Sequence, residues 1–225
     1  MLNDVPVRIW DLPVRAFHWL LAGLFGFLVF SGKVGGNWME YHVYAGYSVL
    51  ALVVFRVLWG FAGSTHARFS NFLTGPSRVL AYARRLLSAA PSPSAGHNPI
   101  GGWMVIVVLA CLLLQGGTGL FSNDDIAFEG PLYPFISKSL SDRLTSLHRF
   151  NADLLIVLVA THIAAVLFHA LVKKENLVRA MFTGVKRLPA GLEGTQGLRV
   201  TSNWLALVLV AASFGAVYLV VTRPI

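Results

Sequence analysis

Histidines in one apolar segment are the residues of this chain with the clearest chemistry. Residues 146–172 are long enough to cross a bilayer and contain His148, His162 and His169. Ionisable side chains inside a membrane are costly and usually functional. His148 and His162 are 14 residues apart, about 1400° of helical rotation, which is within about 40° of four full turns, and roughly 21 Å of rise. The two imidazoles therefore share one helix face. We expect each to ligate one of two b-type haems, because imidazole is a common axial ligand of haem iron.

The composition predicts the elements that position these histidines. Of the 225 residues, 56% are hydrophobic and 12% are charged, whereas a soluble domain has about 25% charged residues. Apolar runs that could span a bilayer cover about residues 14–31, 40–61, 100–121, 146–172 and 203–221. We predict an all-α integral membrane protein. Residues 1–200 would form a four-helix transmembrane haem-binding bundle, and residues 201–225 would add a fifth, C-terminal transmembrane helix.

Two other features of the sequence limit the class of protein. The single cysteine, Cys111, allows neither an intramolecular disulfide nor a C-x-x-C-H motif, so covalently attached haem is excluded. We expect Cys111 to be a small buried residue. The run at 14–31 is longer than the apolar core of a signal peptide, and no convincing cleavage site follows it, so we expect a retained helix.

The distribution of basic residues predicts the orientation in the membrane. Loops 62–99 and 173–201 contain ten Lys and Arg residues, and loops 32–41 and 122–147 contain three. By the positive-inside rule, the first two loops and the N-terminus are cytoplasmic and the C-terminus is periplasmic, in a bacterial inner membrane. The net charge of +8 is therefore assigned to these loops and not to nucleic-acid binding. Within the first loop, residues 75–90 read as an amphipathic interfacial helix, which the Pro/Ser stretch at 91–94 breaks.

This orientation pairs the histidines by depth. His18 and His162 would lie toward the cytoplasmic side, and His42 and His148 toward the outer side. We therefore expect His18/His162 and His42/His148 to be the two pairs of axial ligands. His169 lies about 31 Å along the helix from His148, which fits an interfacial role better. It stays open as an alternative inner ligand or a proton or quinone contact.

Other polar residues have more than one interpretation. Arg56 follows His42 by 14 residues and so shares its face. Its guanidinium could bind a haem propionate, or it could extend to the cytoplasmic interface. Arg149 could bind an outer propionate in the same way. His66 and His97 lie in or near loops, and we expect both to be ordinary surface histidines.

Several motifs in this chain occur together in one known family. They are VRIWDLPVRAFHW around His18, EYHVYAGY around His42 with FRVLWG after it, GHNPIGGWM, SLHRFNADL around His148 and THIAAVLFHALVKKENLVRAM around His162. Across about residues 7–187 the chain resembles the bacterial cytochrome b561 / nickel-iron hydrogenase cytochrome b-subunit family. The resemblance implies a four-helix core with two bis-histidine b haems. It also implies that His18, His42, His148 and His162 are the ligands, and that electrons pass between membrane quinone and a partner redox protein.

The leading functional hypothesis is a dihaem electron-transfer subunit of the respiratory chain. The sequence favours such a subunit of an oxidoreductase over a complete enzyme. Its partners would be the lipid bilayer, quinone and a hydrogenase or c-type cytochrome, and a homodimer is compatible with the sequence. The acidic loop 122–147 could dock a basic partner, or it could be an ordinary solvated loop. One alternative is a stand-alone quinol-linked oxidoreductase, such as a superoxide:quinone oxidase. Another is a metal transporter, although no Pro interrupts the histidine-bearing helices and no internal repeat is visible.

Overall fold

Long helices dominate the structure, a computed structural model that describes residues 4–86, 94–126, 128–192 and 194–222. Five of the helices are long and apolar enough to cross a membrane: α1 (Leu12–Val34), α2 (Trp38–Ala62), α5 (Pro99–Gly119), α6 (Lys138–Leu171) and α8 (Asn203–Thr222). The predicted fold class, an all-α membrane protein with five transmembrane helices, is confirmed. The fourth long helix, α6, begins eight residues before the predicted apolar run, because the more polar residues 138–145 form its first two turns.

Shorter elements join these helices. They are β1 (Asp4–Arg8), α3 (Phe69–Phe72), α4 (Pro76–Leu86), α7 (Leu177–Thr183) and β2 (Val185–Pro189), with 3₁₀ turns at Thr65–Ala67 and Tyr133–Phe135. The helix α4 lies within the segment predicted to be amphipathic. The Pro/Ser stretch expected to break this helix, residues 91–94, lies outside the described residues except for Ser94.

Side-chain caps explain where several helices begin. Asp11 precedes α1, and its Oδ1 accepts a hydrogen bond from the backbone N–H of Val14 at 2.8 Å. Asn98 precedes α5, and its Oδ1 accepts from the N–H of Gly101 at 2.7 Å. Pro99 then takes the first helical position, where a missing N–H has no cost. Both caps satisfy an amide that the helix itself leaves without a partner.

A small sheet at the N-terminus was not predicted from the sequence. β1 pairs with β2 in antiparallel register, with Asp4 opposite Pro189 and Arg8 opposite Val185. Gly184 precedes β2 with φ +80°, and its carbonyl oxygen accepts from the N–H groups of two residues that follow β1. A Cβ at Gly184 would lie 2.6 Å from a main-chain oxygen, so only glycine fits this junction. The end of β1 and the start of β2, at residues 8 and 185, are 177 positions apart along the chain, which conceals the pairing from local sequence patterns.

The chain divides into two compact units. Unit 1 contains residues up to 16, 58–107 and 159–206, and unit 2 contains residues 17–57, 108–158 and those from 207 onward. In unit 1 the buried indole of Trp59 donates its Nε1–H to Asp11 Oδ2 at 3.0 Å. The same carboxylate therefore caps α1 and satisfies a buried indole. In unit 2 the core includes Val53, Phe55 and Leu155.

Candidate functional site

The imidazoles of His42 and His148 lie close together within unit 2. His42 is in the first turns of α2 and His148 is in α6, and their ring centroids are 6.5 Å apart with an interplanar angle of 69°. These are the two histidines expected to form the outer pair. Their proximity comes from the packing of two helices that are distant in sequence.

A hydroxyl group fixes the orientation of the His42 ring. His42 Nδ1 is 3.0 Å from Ser31 Oγ, near the end of α1. The Ser31 hydroxyl donates its proton to the carbonyl oxygen of Phe27 at 2.8 Å, one helical turn earlier. Its oxygen therefore accepts from His42, which places the imidazole proton on Nδ1. The lone pair of Nε2 is then available to a metal.

His148 has the same arrangement, with a main-chain carbonyl at 3.0 Å as well as a hydroxyl. Its Nδ1 is 3.0 Å from the carbonyl oxygen of Gln115 and 3.2 Å from Thr118 Oγ1, both near the end of α5. A carbonyl oxygen only accepts, so Nδ1 of His148 carries the proton. The Thr118 hydroxyl donates to the carbonyl of Leu114 at 2.7 Å, as Ser31 does to its own helix. Both imidazoles therefore offer Nε2 to a metal, with Nδ1–H oriented by an outer hydrogen-bond partner.

A glycine after each hydroxyl residue leaves room for the ring. A Cβ at Gly32 would lie 3.1 Å from Cε1 of His42, and a Cβ at Gly119 would lie 3.1 Å from Cε1 of His148. Ser31-Gly32 and Thr118-Gly119 are thus equivalent hydroxyl–glycine pairs at the ends of α1 and α5. Sequence reasoning missed all four residues. The repeated dipeptide near the end of an apolar run was the available signal.

The geometry suits an iron held between the two rings. A bond between a metal and an imidazole nitrogen is about 2 Å, so two axial imidazoles have ring centroids roughly 6 Å apart. The 6.5 Å separation of His42 and His148 agrees with this value. The residues present therefore fit a bis-histidine haem.

An amide supports the His148 side of the pair. Asn151 is buried one turn after His148, and its Nδ2 donates to Gln115 Oε1 at 2.6 Å and to the carbonyl of Cys111 at 2.9 Å. Asn151 thereby connects α6 to Gln115, whose carbonyl oxygen accepts the hydrogen bond from His148 Nδ1. Cys111 itself is half-buried and makes no disulfide.

The other two predicted ligands belong to different units. His18 is half-buried in unit 2, where its ring meets Trp19 edge-on at 4.9 Å. His162 belongs to unit 1, on the part of α6 after residue 158, and its side chain is exposed. Their pairing as ligands stays a prediction. Arg56, in α2, is 3% exposed, and its role toward a haem propionate also stays a prediction.

Histidines outside these pairs are less exposed than expected. The His97 ring packs between Trp10 and Phe72, with centroid distances of 4.7 and 4.5 Å. His66 is half-buried, and burial lowers its pKa; nearby Lys186 lowers that pKa further, against a backbone hydrogen bond with Gly194 that raises it. His66 and His97 are thus half-buried within unit 1, and so less exposed than the ordinary surface histidines that the sequence indicated.

His169, for which the sequence indicated an interfacial role, is buried. It is 7% exposed, and its Nδ1 lies 3.0 Å from Glu175 Oε2.

In unit 2, the exposed side chain of Asp153 forms an ion pair with Lys33 at 3.2 Å. An exposed pair of this kind adds little stability.

Comparisons with known proteins identify one matching family model and several relatives. The family model described as prokaryotic cytochrome b561 matches residues 9–184. A probable Ni/Fe-hydrogenase B-type cytochrome subunit of Rhizobium leguminosarum is 24% identical over 211 residues, which cover 79% of this chain and 87% of the relative. A protein of the same description from Cupriavidus necator is 22% identical, covering 79% of this chain and 86% of the relative. No solved structure matches the chain.

The matched region begins two residues before the cap of α1 and ends at the glycine before β2, and it includes all four predicted ligand histidines. It covers more than half of the sequence, and the described helices carry the expected transmembrane lengths. The chain therefore belongs to the prokaryotic cytochrome b561 family.

Proposed function

We propose that this protein is a dihaem b-type cytochrome that transfers electrons between membrane quinone and a partner redox enzyme. The observation that carries the proposal is the His42/His148 pair, with a centroid separation of 6.5 Å and both Nδ1–H groups committed to acceptors. When bound, a six-coordinate b-type haem supplies reversible one-electron transfer without an open iron position for substrate.

The chain's own residues hold and orient the group. His42 and His148 would be the outer axial ligands, and the hydroxyl–glycine pairs would keep their rings in one rotamer and tautomer. His18 and His162 would be the inner ligands. On α6, His162 follows His148 by 14 residues, so the two ligand levels are roughly 21 Å apart along that helix. Arg56 would neutralise a propionate, since a guanidinium can bind a carboxylate through two parallel hydrogen bonds.

Hydrogenase is the proposed partner class. The relatives that carry the name of hydrogenase cytochrome subunit are matched over 86 to 87% of their own length. The acidic loop that follows α5 gives less support to docking of a basic partner than its sequence indicated. Lys138 forms ion pairs with both Asp125 and Asp142, which neutralises part of the loop's negative charge.

A cytoplasmic N-terminus is proposed with this function, in the bacterial inner membrane. The pairing of β1 with β2 supports one part of this orientation, because it brings the N-terminal segment beside the segment after α6. Thr65, after α2, also hydrogen-bonds to Arg199 within the same unit. Three segments that the charge rule assigns to one side of the membrane are thus joined in unit 1.

Haem content of the four histidine variants tests the proposal. Purified protein should contain two low-spin haems per chain. His42→Ala and His148→Ala should lose the same haem, and His18→Ala and His162→Ala should lose the other. His97→Ala is the matched control, because His97 packs on aromatic rings and should leave the haem content unchanged. One haem per chain would contradict the dihaem assignment, and loss of both haems in every variant would contradict the assignment of the ligand pairs.

The partner is tested separately by the electron donor. Hydrogen added to membranes that contain the cognate hydrogenase should reduce the haems, and the His42→Ala variant should change the extent or rate of reduction. Complete reduction by dithionite without any reduction by hydrogen would refute a hydrogenase partner. It would leave the haem assignment intact.

A further inference from the structure

A cavity of about 530 Å³ lies entirely within unit 1. Its walls come from β1, α4, the last turn of α6 with the segment after it, α7 and β2. Basic side chains line it in excess. They are Lys173, Lys174, Arg179, Lys186 and Arg187, against the acidic Asp4 and Glu175. We call this space the basic cavity. Its wall carries three more positive charges than negative ones.

An internal network already neutralises the most buried of these charges. Glu175 Oε1 forms an ion pair with Lys186 Nζ, and Glu175 Oε2 lies 3.0 Å from His169 Nδ1. Lys186 also donates to the carbonyl of Ser94 at 2.9 Å. Lys186 and His169 are both 7% exposed, so this part of the wall is held in place. The surplus positive charge therefore belongs to the more exposed basic residues around it.

The backbone after α6 is shaped to present these residues. Lys174 has φ +57°, a left-handed conformation that is uncommon for a residue other than glycine. The next residue, Glu175, returns its N–H to the carbonyl of His169 at 2.9 Å. Unfavourable backbone conformations persist where surrounding contacts over-determine them, and they concentrate at functional sites.

A phenol adds a neutral hydrogen-bond donor to the wall. Tyr82 of α4 lines the cavity. Burial raises the pKa of Tyr82, and the negative charge of Glu175 raises it further. The hydroxyl therefore stays protonated and can donate to an anionic oxygen.

Apolar side chains lie beside the basic residues. Leu171 ends α6 and is exposed, two residues before Lys173 enters the cavity wall. On α7, Val178 and Phe182 are exposed and share a helix face, while Arg179 lines the cavity. A cationic cavity with an apolar margin, next to the end of a membrane-spanning helix, matches the two parts of a phospholipid.

We propose that the basic cavity binds the phosphodiester headgroup of an anionic phospholipid. Arg179, Lys174 and Arg187 would contact the phosphate oxygens, and the exposed face of α7 would contact the acyl chains. Basic pockets beside transmembrane helices on the cytoplasmic side bind such headgroups, and each Lys or Arg near the surface strengthens binding roughly fivefold. Free phosphate shares the headgroup chemistry but has no acyl chain, so the apolar margin favours the lipid.

Binding to delipidated, haem-loaded protein in detergent tests this site. The probes are dioctanoyl-phosphatidylglycerol, dioctanoyl-phosphatidylcholine and inorganic phosphate, each titrated with the melting temperature as the readout. The variant is Lys174→Gln with Arg179→Gln. The control is Arg78→Gln with Arg199→Gln, which removes two exposed basic residues of the same unit that do not line the cavity. An unchanged haem spectrum verifies that each variant is folded.

The anionic lipid should raise the melting temperature, and the cavity variant should bind it roughly 25-fold more weakly. The control should lose less than a few fold. Equal stabilisation by phosphatidylcholine would overturn the proposal, as would an equal loss in both variants, which would indicate only a general electrostatic field. The same shift from inorganic phosphate at equal concentration would identify a soluble phosphate site and overturn the lipid assignment.

Discussion

Ser31 is the residue whose substitution tests the ligand geometry most directly. Its hydroxyl oxygen accepts the Nδ1 proton of His42 at 3.0 Å, and Ser31→Ala removes that acceptor. An outer hydrogen-bond partner of a metal-ligating histidine typically contributes 10- to 100-fold to metal affinity. The carbonyl of Leu28 lies close enough to serve as a substitute acceptor. We therefore expect Ser31→Ala to weaken retention of the outer haem by about tenfold, or about 1.4 kcal/mol.

At His148, the other ligand of this pair, we expect loss of the hydroxyl of Thr118 to have only a small effect on haem retention. Thr118→Val removes the hydroxyl 3.2 Å from His148 Nδ1, but the main-chain carbonyl of Gln115 remains at 3.0 Å. No side-chain substitution at position 118 removes that carbonyl. Haem retention in Thr118→Val should therefore fall by less than about threefold, because the stronger acceptor and the tautomer persist.

Ser213→Ala is the matched control for Ser31→Ala. Both serines are fully buried in a long helix, and both donate to a carbonyl four residues earlier, at 2.7 Å for Ser213 and 2.8 Å for Ser31. Ser213 contacts no histidine among the described hydrogen bonds. The assay is the rate of haem transfer to excess apomyoglobin, followed by absorbance. Equal rates in the two alanine variants, or a larger effect in Thr118→Val than in Ser31→Ala, would refute the proposed role of Nδ1.

Two further predictions concern stability in unit 1. Asp11→Ala removes both the cap of α1 and the acceptor of the Trp59 indole, so it should lower the free energy of unfolding by about 2–3 kcal/mol. Chemical denaturation in detergent measures this change. A loss below about 0.5 kcal/mol would contradict the dual role of Asp11. His66 has a lowered pKa in the folded protein, so the unfolded chain binds a proton more readily, and stability should fall as pH decreases below about 6.5. His66→Asn should flatten that decline, and an unchanged pH profile would exclude His66 as its source.

Local sequence patterns were sufficient for the long helices of this protein. Hydropathy predicted every long helix, because the burial of backbone polar groups in lipid requires about 20 consecutive apolar residues in helical form. The helical period placed His148 and His162 on one face of α6, since spacing within a single helix needs no knowledge of its neighbours. The four ligand candidates followed from these two local properties and the distribution of basic loops.

Contacts between distant segments required the tertiary structure. Thr118 precedes His148 by 30 residues, and its hydroxyl becomes an acceptor only because the end of α5 packs beside α6. The β1–β2 sheet, the packing of His97 between two aromatic rings and the Glu175 network depend likewise on which segments meet. Hydropathy reports whether a residue prefers lipid or water, but it carries no information on the partner of a hydrogen bond. The sequence therefore predicted where ligands could lie, and the packing of the helices decided which atoms orient them.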